Sequence, residues 1–113
     1  MNKRAIGSLA EDKAVLFLEN LGYKIIKRNF FTRYGEIDII AKEDFTVVFI
    51  EVKYRKSLSF GSPLEAVSKH KIKNICKSAR IYLSSAEVAA RFDVISITDN
   101  KIEHLKNAFD YVL

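Results

Sequence analysis

The run Val47-Val48-Phe49-Ile50-Glu51-Val52-Lys53 constrains the fold more than any other segment. Four successive apolar residues leave no polar face, so this strand has to be covered on both sides and to lie centrally in a sheet. Alternate side chains of an extended chain share a face, which places Val47, Phe49, Glu51 and Lys53 on one side. Two opposite charges therefore end an otherwise apolar face. A cross-strand ion pair would account for them at a gain of only ~0.2–1 kcal/mol. A half-buried pair also costs desolvation that an apolar pair avoids, so stability alone explains it poorly.

The segments around this strand are legible from their periodicities. Ala10, Ala14, Phe17, Leu18 and Leu21 recur at helical spacing, Ser8 and Glu11 have the form of a capping box, and Gly22 is a stop, so a helix is expected over about Leu9 to Leu21. Tyr23 to Phe31 reads as an outer strand, and Arg33, Tyr34 and Gly35 as a turn. Glu36 to Ala41 reads as a second strand, with Ile37 and Ile39 on one face and Glu36, Asp38 and Ile40 on the other. A turn at Lys42 to Asp44 then leads into the central strand.

Ser57 to Pro63 reads as a loop, followed by a long helix capped by Ser62 or Ser68 and ending near Ser85. Ile72, Ile75, Cys76, Ala79, Tyr82 and Leu83 form its apolar stripe. Arg91 to Thr98 and Lys101 to Leu105 alternate like strands across a tight turn at Asp99 and Asn100, and Ala108 to Leu113 is ambiguous. The order α-β-β-β-α-β-β predicts an α/β fold with one mixed central sheet of about five strands flanked by helices. At 113 residues, the chain is expected to form a single domain over 1–113.

Composition narrows the function classes. A formal charge of +5 and a pI near 9.4 favour a polyanionic partner such as nucleic acid. Cys76 is the only cysteine, which excludes an internal disulfide or a multi-cysteine zinc site and fits a reducing cytoplasm. Glu11, Asp12 and Lys13 interrupt any apolar stretch near Lys3 and Arg4, so an export signal is not expected. No fully apolar run, Val47 to Ile50 included, approaches the roughly 20 residues of a membrane-spanning helix.

Phosphodiester hydrolysis needs a hard cation to neutralise the phosphate and to lower the pKa of an attacking water. Mg²⁺ or Mn²⁺ takes oxygen ligands, commonly one or two carboxylates. Asp38 and Glu51, on neighbouring strands, are suitable ligands, and the Val52 backbone carbonyl offers another. Lys53, on the same face as Glu51, is suited to hold the nucleophilic water or to stabilise charge on the phosphate oxygens. Glu11 is placed to serve as a metal or water ligand, although its capping box explains it equally well.

Asp38, a strand, then Glu51-Val52-Lys53 has the shape of the PD-(D/E)XK nuclease motif. Together with Ala10-Glu11, Gly35-Glu36-Ile37-Asp38, Phe49 to Arg55, Phe60-Gly61 and Arg91-Phe92-Asp93, in that order, it resembles the small bacterial YraN-like family. That family is itself similar to archaeal Holliday junction resolvases. The resemblance runs from about Ile6 to Ala108, and Ile37 stands where the motif has proline. It implies a restriction-endonuclease-like core with Asp38 and Glu51 as metal ligands, Lys53 as the catalytic lysine and Glu11 as the acid of the first helix. Lys71 or Lys69 would take the supporting basic position, and by analogy with the resolvases a homodimer is implied.

Several residues have plainer readings. Glu36 reads as a turn-proximal surface residue and Asp93 similarly; His70 and His104 read as solvated, and Cys76 as core filler. The lysines of the second helix, Lys69 and Lys71 among them, are ordinarily a solvated face. Yet Tyr54, Arg55 and Lys56 follow the site directly, and Arg28, Phe31, Arg33 and Tyr34 mix aromatics with cations, which suits backbone contacts plus stacking on unpaired bases. Both clusters are expected to flank one groove. Three functions follow: a metal-dependent nuclease on DNA, branched or single-stranded; a non-catalytic nucleic-acid-binding module; and, last, a basic face for an acidic protein.

Overall fold

The computed structural model describes residues 3–56, 63–99 and 101–111. Its elements are α1 (Lys3–Asn20), β1 (Lys24–Thr32), β2 (Gly35–Glu43), β3 (Thr46–Tyr54), a 3-10 turn (Pro63–Ala66), α2 (Lys69–Leu83), β4 (Ala90–Ile97) and β5 (Ile102–Phe109). The expected loop residues Ser57 to Ser62, with the Phe60-Gly61 pair, and Asn100 of the hairpin lie outside the described residues. The strands form one sheet in chain order, β1-β2-β3-β4-β5. All neighbours are antiparallel except β3 and β4, which run parallel because α2 carries the chain back between them. The expected mixed α/β fold is therefore observed, with Val47 to Ile50 on the central strand and β1 on an edge.

A helix covers each face. Ala10, Ala14 and Leu18 of α1 pack on Ile39, Val48, Ile50 and Ile95; Ile75, Cys76 and Ala79 of α2 pack on Ile40, Phe49, Phe92 and Val94. Neighbouring residues of β3 thus feed opposite cores, as the period of two requires. Ser68 caps α2, its Oγ accepting from the Lys71 N–H at 3.0 Å. Among the described residues, no helix is long and apolar enough to cross a membrane.

Local departures have identifiable causes. Helix α1 begins at Lys3, not Leu9, so Ser8 and Glu11 are interior residues and form no terminal capping box. The flexibility cost of Gly7, of order 1 kcal/mol, does not stop it. The helix ends at Asn20 and the chain turns at Gly22, which takes φ 94°, leaving the expected stripe residue Leu21 53% exposed. Lys42 and Glu43 belong to β2, so the β2–β3 turn is Asp44–Phe45, and Ala108–Phe109 complete β5. Ile37 packs with Ile40 and not with Ile39, because regular β2–β3 pairing ends at Ile39–Ile50 and the alternation lapses at Asp38.

Candidate functional site

That lapse positions the site. Asp38 is buried, and its Oδ2 accepts the Val52 N–H at 2.8 Å, satisfying a donor the β2–β3 ladder no longer reaches. A strand carbonyl projects to the same side as its own N–H, so the Val52 carbonyl also faces β2. One oxygen each from Glu11 on α1 and from Glu36 and Asp38 on β2 lie within 4.8 Å of one another. Glu36, expected at the surface, is therefore a member of the acidic cluster. Its spacing of two from Asp38 carried that signal, but the Glu11 side of the cluster depends on how α1 docks.

Asn29 is the residue sequence reading passed over. It sits in β1 with φ 54°, a left-handed conformation Asn tolerates better than most, and donates its Nδ2 to Glu11 Oε1 at 2.9 Å. Arg28 Nη2 stands 3.8 Å from the same Glu11 oxygen and 2.8 Å from Asp12. The acids open onto a cleft of about 570 Å³ walled by Arg4, Ser8, Arg28 and Phe31.

The electrostatics are those of crowded carboxylates. Burial, then the adjoining Glu51, pushes the Asp38 carboxyl well above the usual carboxylate range. Burial and then Asp38 raise Glu36 to about 7. Glu11 is also raised, burial outweighing the Asn29 hydrogen bond. The Glu51 side chain is only 3% exposed; its Oε2 lies 3.9 Å from Lys53 Nζ and 3.6 Å from Lys71 Nζ. Its Oε1 is buried and receives no donor among the described residues. An orphaned buried oxygen beside three converging carboxylates, with an all-oxygen donor set, suits a hard cation such as Mg²⁺ or Mn²⁺.

Glu11, Asp38, Glu51 and Lys53 thus come together, with Glu36 added, and it is the Lys71 ammonium that reaches Glu51; Lys69 is exposed on the first turn of α2. The basic residues divide. Tyr54 donates to Asp99 Oδ1 at 2.6 Å and Arg55 Nε to Ser96 Oγ at 2.9 Å, while Tyr54 and Lys56 line a hollow beside Ile6 and Gly7. Arg33 and Tyr34 line a different groove, against α2. With Arg28 and Phe31 on the acidic cleft, the expected single groove is three hollows.

Asp93, expected at the surface, is buried, and the His104 side chain, expected to be solvated, is only 7% exposed. The Asp93 carboxylate accepts from His104 Nε2 at 2.7 Å, Arg91 Nε at 3.0 Å and the Asn107 N–H at 2.9 Å. Burial pushes its carboxyl up, but these partners outweigh it and hold it below its usual value. Cross-strand register in β4–β5, irregular between Phe92 and Val94, creates this network, and no local motif announces it.

A five-stranded mixed sheet with a helix on each face and an acidic, lysine-flanked cluster at one end defines a small α/β protein built around a polar site. The chain belongs to the uncharacterised protein family UPF0102, whose model matches residues 10–97 and so spans Glu11 to Lys71, bearing out the YraN-like resemblance at family level. It is 47% identical over 107 residues to a UPF0102 protein of Persephonella marina, covering 92% of each chain. It is 45% identical over 112 residues to one of Sulfurihydrogenibium sp., covering 96% of this chain and 97% of the relative. A Syntrophomonas wolfei relative is 46% identical over 115 residues, covering 94% and 98%.

Proposed function

We propose that the chain is a divalent-metal-dependent nuclease that hydrolyses phosphodiester bonds of DNA, single-stranded or branched. The observation that carries this reading is the convergence of Glu11, Glu36 and Asp38 within 4.8 Å beside a buried, donorless Glu51 oxygen. The resemblance of Asp38 and Glu51-Val52-Lys53 to the PD-(D/E)XK motif, and of the sheet to a restriction-endonuclease-like core, supports it.

Asp38, Glu51 and Glu11, with Glu36 and the Val52 carbonyl, would hold Mg²⁺ or Mn²⁺. Bound there, the ion supplies Lewis acidity to the phosphate and acidity to a water. Lys53, 39% exposed beside Glu51, holds the attacking water or offsets charge growing on the phosphate oxygens. Lys71, 3.6 Å from Glu51 Oε2, orients that side chain, and Arg4 and Arg28 on the cleft wall attract the DNA backbone. Asn29 fixes Glu11.

Labelled single-stranded, duplex and branched DNA incubated with Mg²⁺ or Mn²⁺ tests the reading. Cleavage by the parent is expected, with a loss of roughly 10²–10³-fold or more in Lys53→Ala and Glu51→Gln at unchanged circular dichroism. Salt-sensitive binding without cleavage would instead identify a non-catalytic nucleic-acid-binding module, an outcome the net charge of +5 also accommodates.

A further inference from the structure

Beside α2 lies a groove of about 340 Å³ that the acidic cluster does not use. Among the described residues its walls carry three cations, Arg33, Lys77 and Arg80, two tyrosines, Tyr34 and Tyr111, and no carboxylate. The cations rest on the rings: Arg33 Cζ and Lys77 Nζ are each 4.9 Å from the Tyr34 centroid, and Arg80 Cζ is 5.5 Å from that of Tyr111. The Tyr111 hydroxyl, which accepts from Arg80 Nε and donates to the Cys76 carbonyl, ties that ring to α2.

A nucleotide satisfies both halves of this arrangement at once, its base taking a ring face and its phosphate taking the displaced cation. An acidic peptide would use the cations and leave the rings idle. The groove is joined to the acidic cluster along the chain, through the β1–β2 turn and through α2. Tyr34 is two residues from Glu36 across the β1–β2 turn, where Thr32 pairs with Gly35 and Phe31 with Glu36. Lys77 follows Lys71 by six residues of α2, about 9 Å along the axis, a separation on the scale of a few nucleotides.

We propose that this groove is a subsite for an unpaired nucleotide, with Tyr34 as its stacking platform, a few nucleotides from the bond cleaved at the acidic cluster. Only the distance to the cleaved bond rests on the nuclease reading; the subsite itself predicts that the preferred DNA has unpaired bases.

The test is binding in EDTA, followed by fluorescence anisotropy, of a labelled single-stranded oligodeoxynucleotide, the same strand with abasic positions, and a blunt duplex. The unaltered protein is expected to bind the intact strand roughly 10-fold more tightly than the abasic strand. Tyr34→Ala should erase that gap and Tyr34→Phe should keep it, with duplex binding equal in all three. Equal affinity of the unaltered protein for intact and abasic strands overturns the proposal, whether or not Tyr34→Ala folds; so does a gap that survives in folded Tyr34→Ala. Discrimination without cleavage in Mg²⁺ or Mn²⁺ would sink the nuclease reading alone, and cleavage without discrimination the subsite alone.

Discussion

Replacing Asp38 with Asn is expected to stabilise the metal-free protein at pH 8, although it alters the centre of the site. Asp38 shares a volume with Glu11 and Glu36 in which ligand oxygens are at most 4.8 Å apart. At an effective dielectric constant of about 20, each fully ionised pair at that distance repels by about 3.5 kcal/mol. Protonation relieves most of this, since Asp38 and Glu36 both titrate well above their ordinary range. We expect about 1–2 kcal/mol to remain at pH 8. Asn keeps an oxygen for the Val52 N–H, and its amide N–H₂ can donate to a neighbouring carboxylate.

Because the folded state holds these protons more tightly than the unfolded chain does, stability of the parent falls as pH rises from about 4 through about 7. The variant should escape part of that fall. Thermal unfolding by circular dichroism in EDTA should show Asp38→Asn melting roughly 4–8 °C above the parent at pH 8 and level with it near pH 5. Millimolar Mn²⁺ should raise the parent's Tm and not the variant's. A variant less stable than the parent at pH 8 in EDTA would refute the claim that the carboxylates are uncompensated.

Other substitutions test neighbouring parts of the structure. Asn29→Ala should weaken Mn²⁺ binding, read by calorimetry, by about 10–100-fold, because Glu11 loses its orienting donor. Asp93→Ala should cost about 3–5 kcal/mol in urea unfolding by stranding Arg91 and His104, while leaving cleavage intact wherever the protein stays folded. Since the folded state depresses the Asp93 carboxyl, its contribution is present above about pH 4 and lost below; Asp93→Asn should flatten that acid limb in a pH series of melts. Phe49→Ala should cost about 3–5 kcal/mol, because its ring is buried against Phe92 and Tyr82.

What sequence reading recovered was whatever leaves a periodic trace. The apolar run of β3 announced a central strand, the α2 stripe came through in full, and alternation placed Glu51 and Lys53 together. What escaped depends on contacts between distant segments. The Ser8–Glu11 pattern imitated a helix start because capping is a local signal, whereas the helix continues to Lys3. Asn29 and Glu36 join the cluster only once α1 lies across β1 and β2. Asp93 and His104 meet through a strand register that neither segment specifies alone.

Asp38 is at once a member of the acidic cluster and a splint for the β3 backbone through the Val52 amide. Chemistry and architecture are therefore written into the same carboxylate, and position 38 has little freedom in side-chain length: a glutamate would carry its carboxylate one carbon past the amide it has to meet. The Val52 N–H becomes an internal gauge of the site. Any event that draws Asp38 away from that amide toward a cation is expected to register in the hydrogen exchange of Val52, which lets occupancy be followed without turnover.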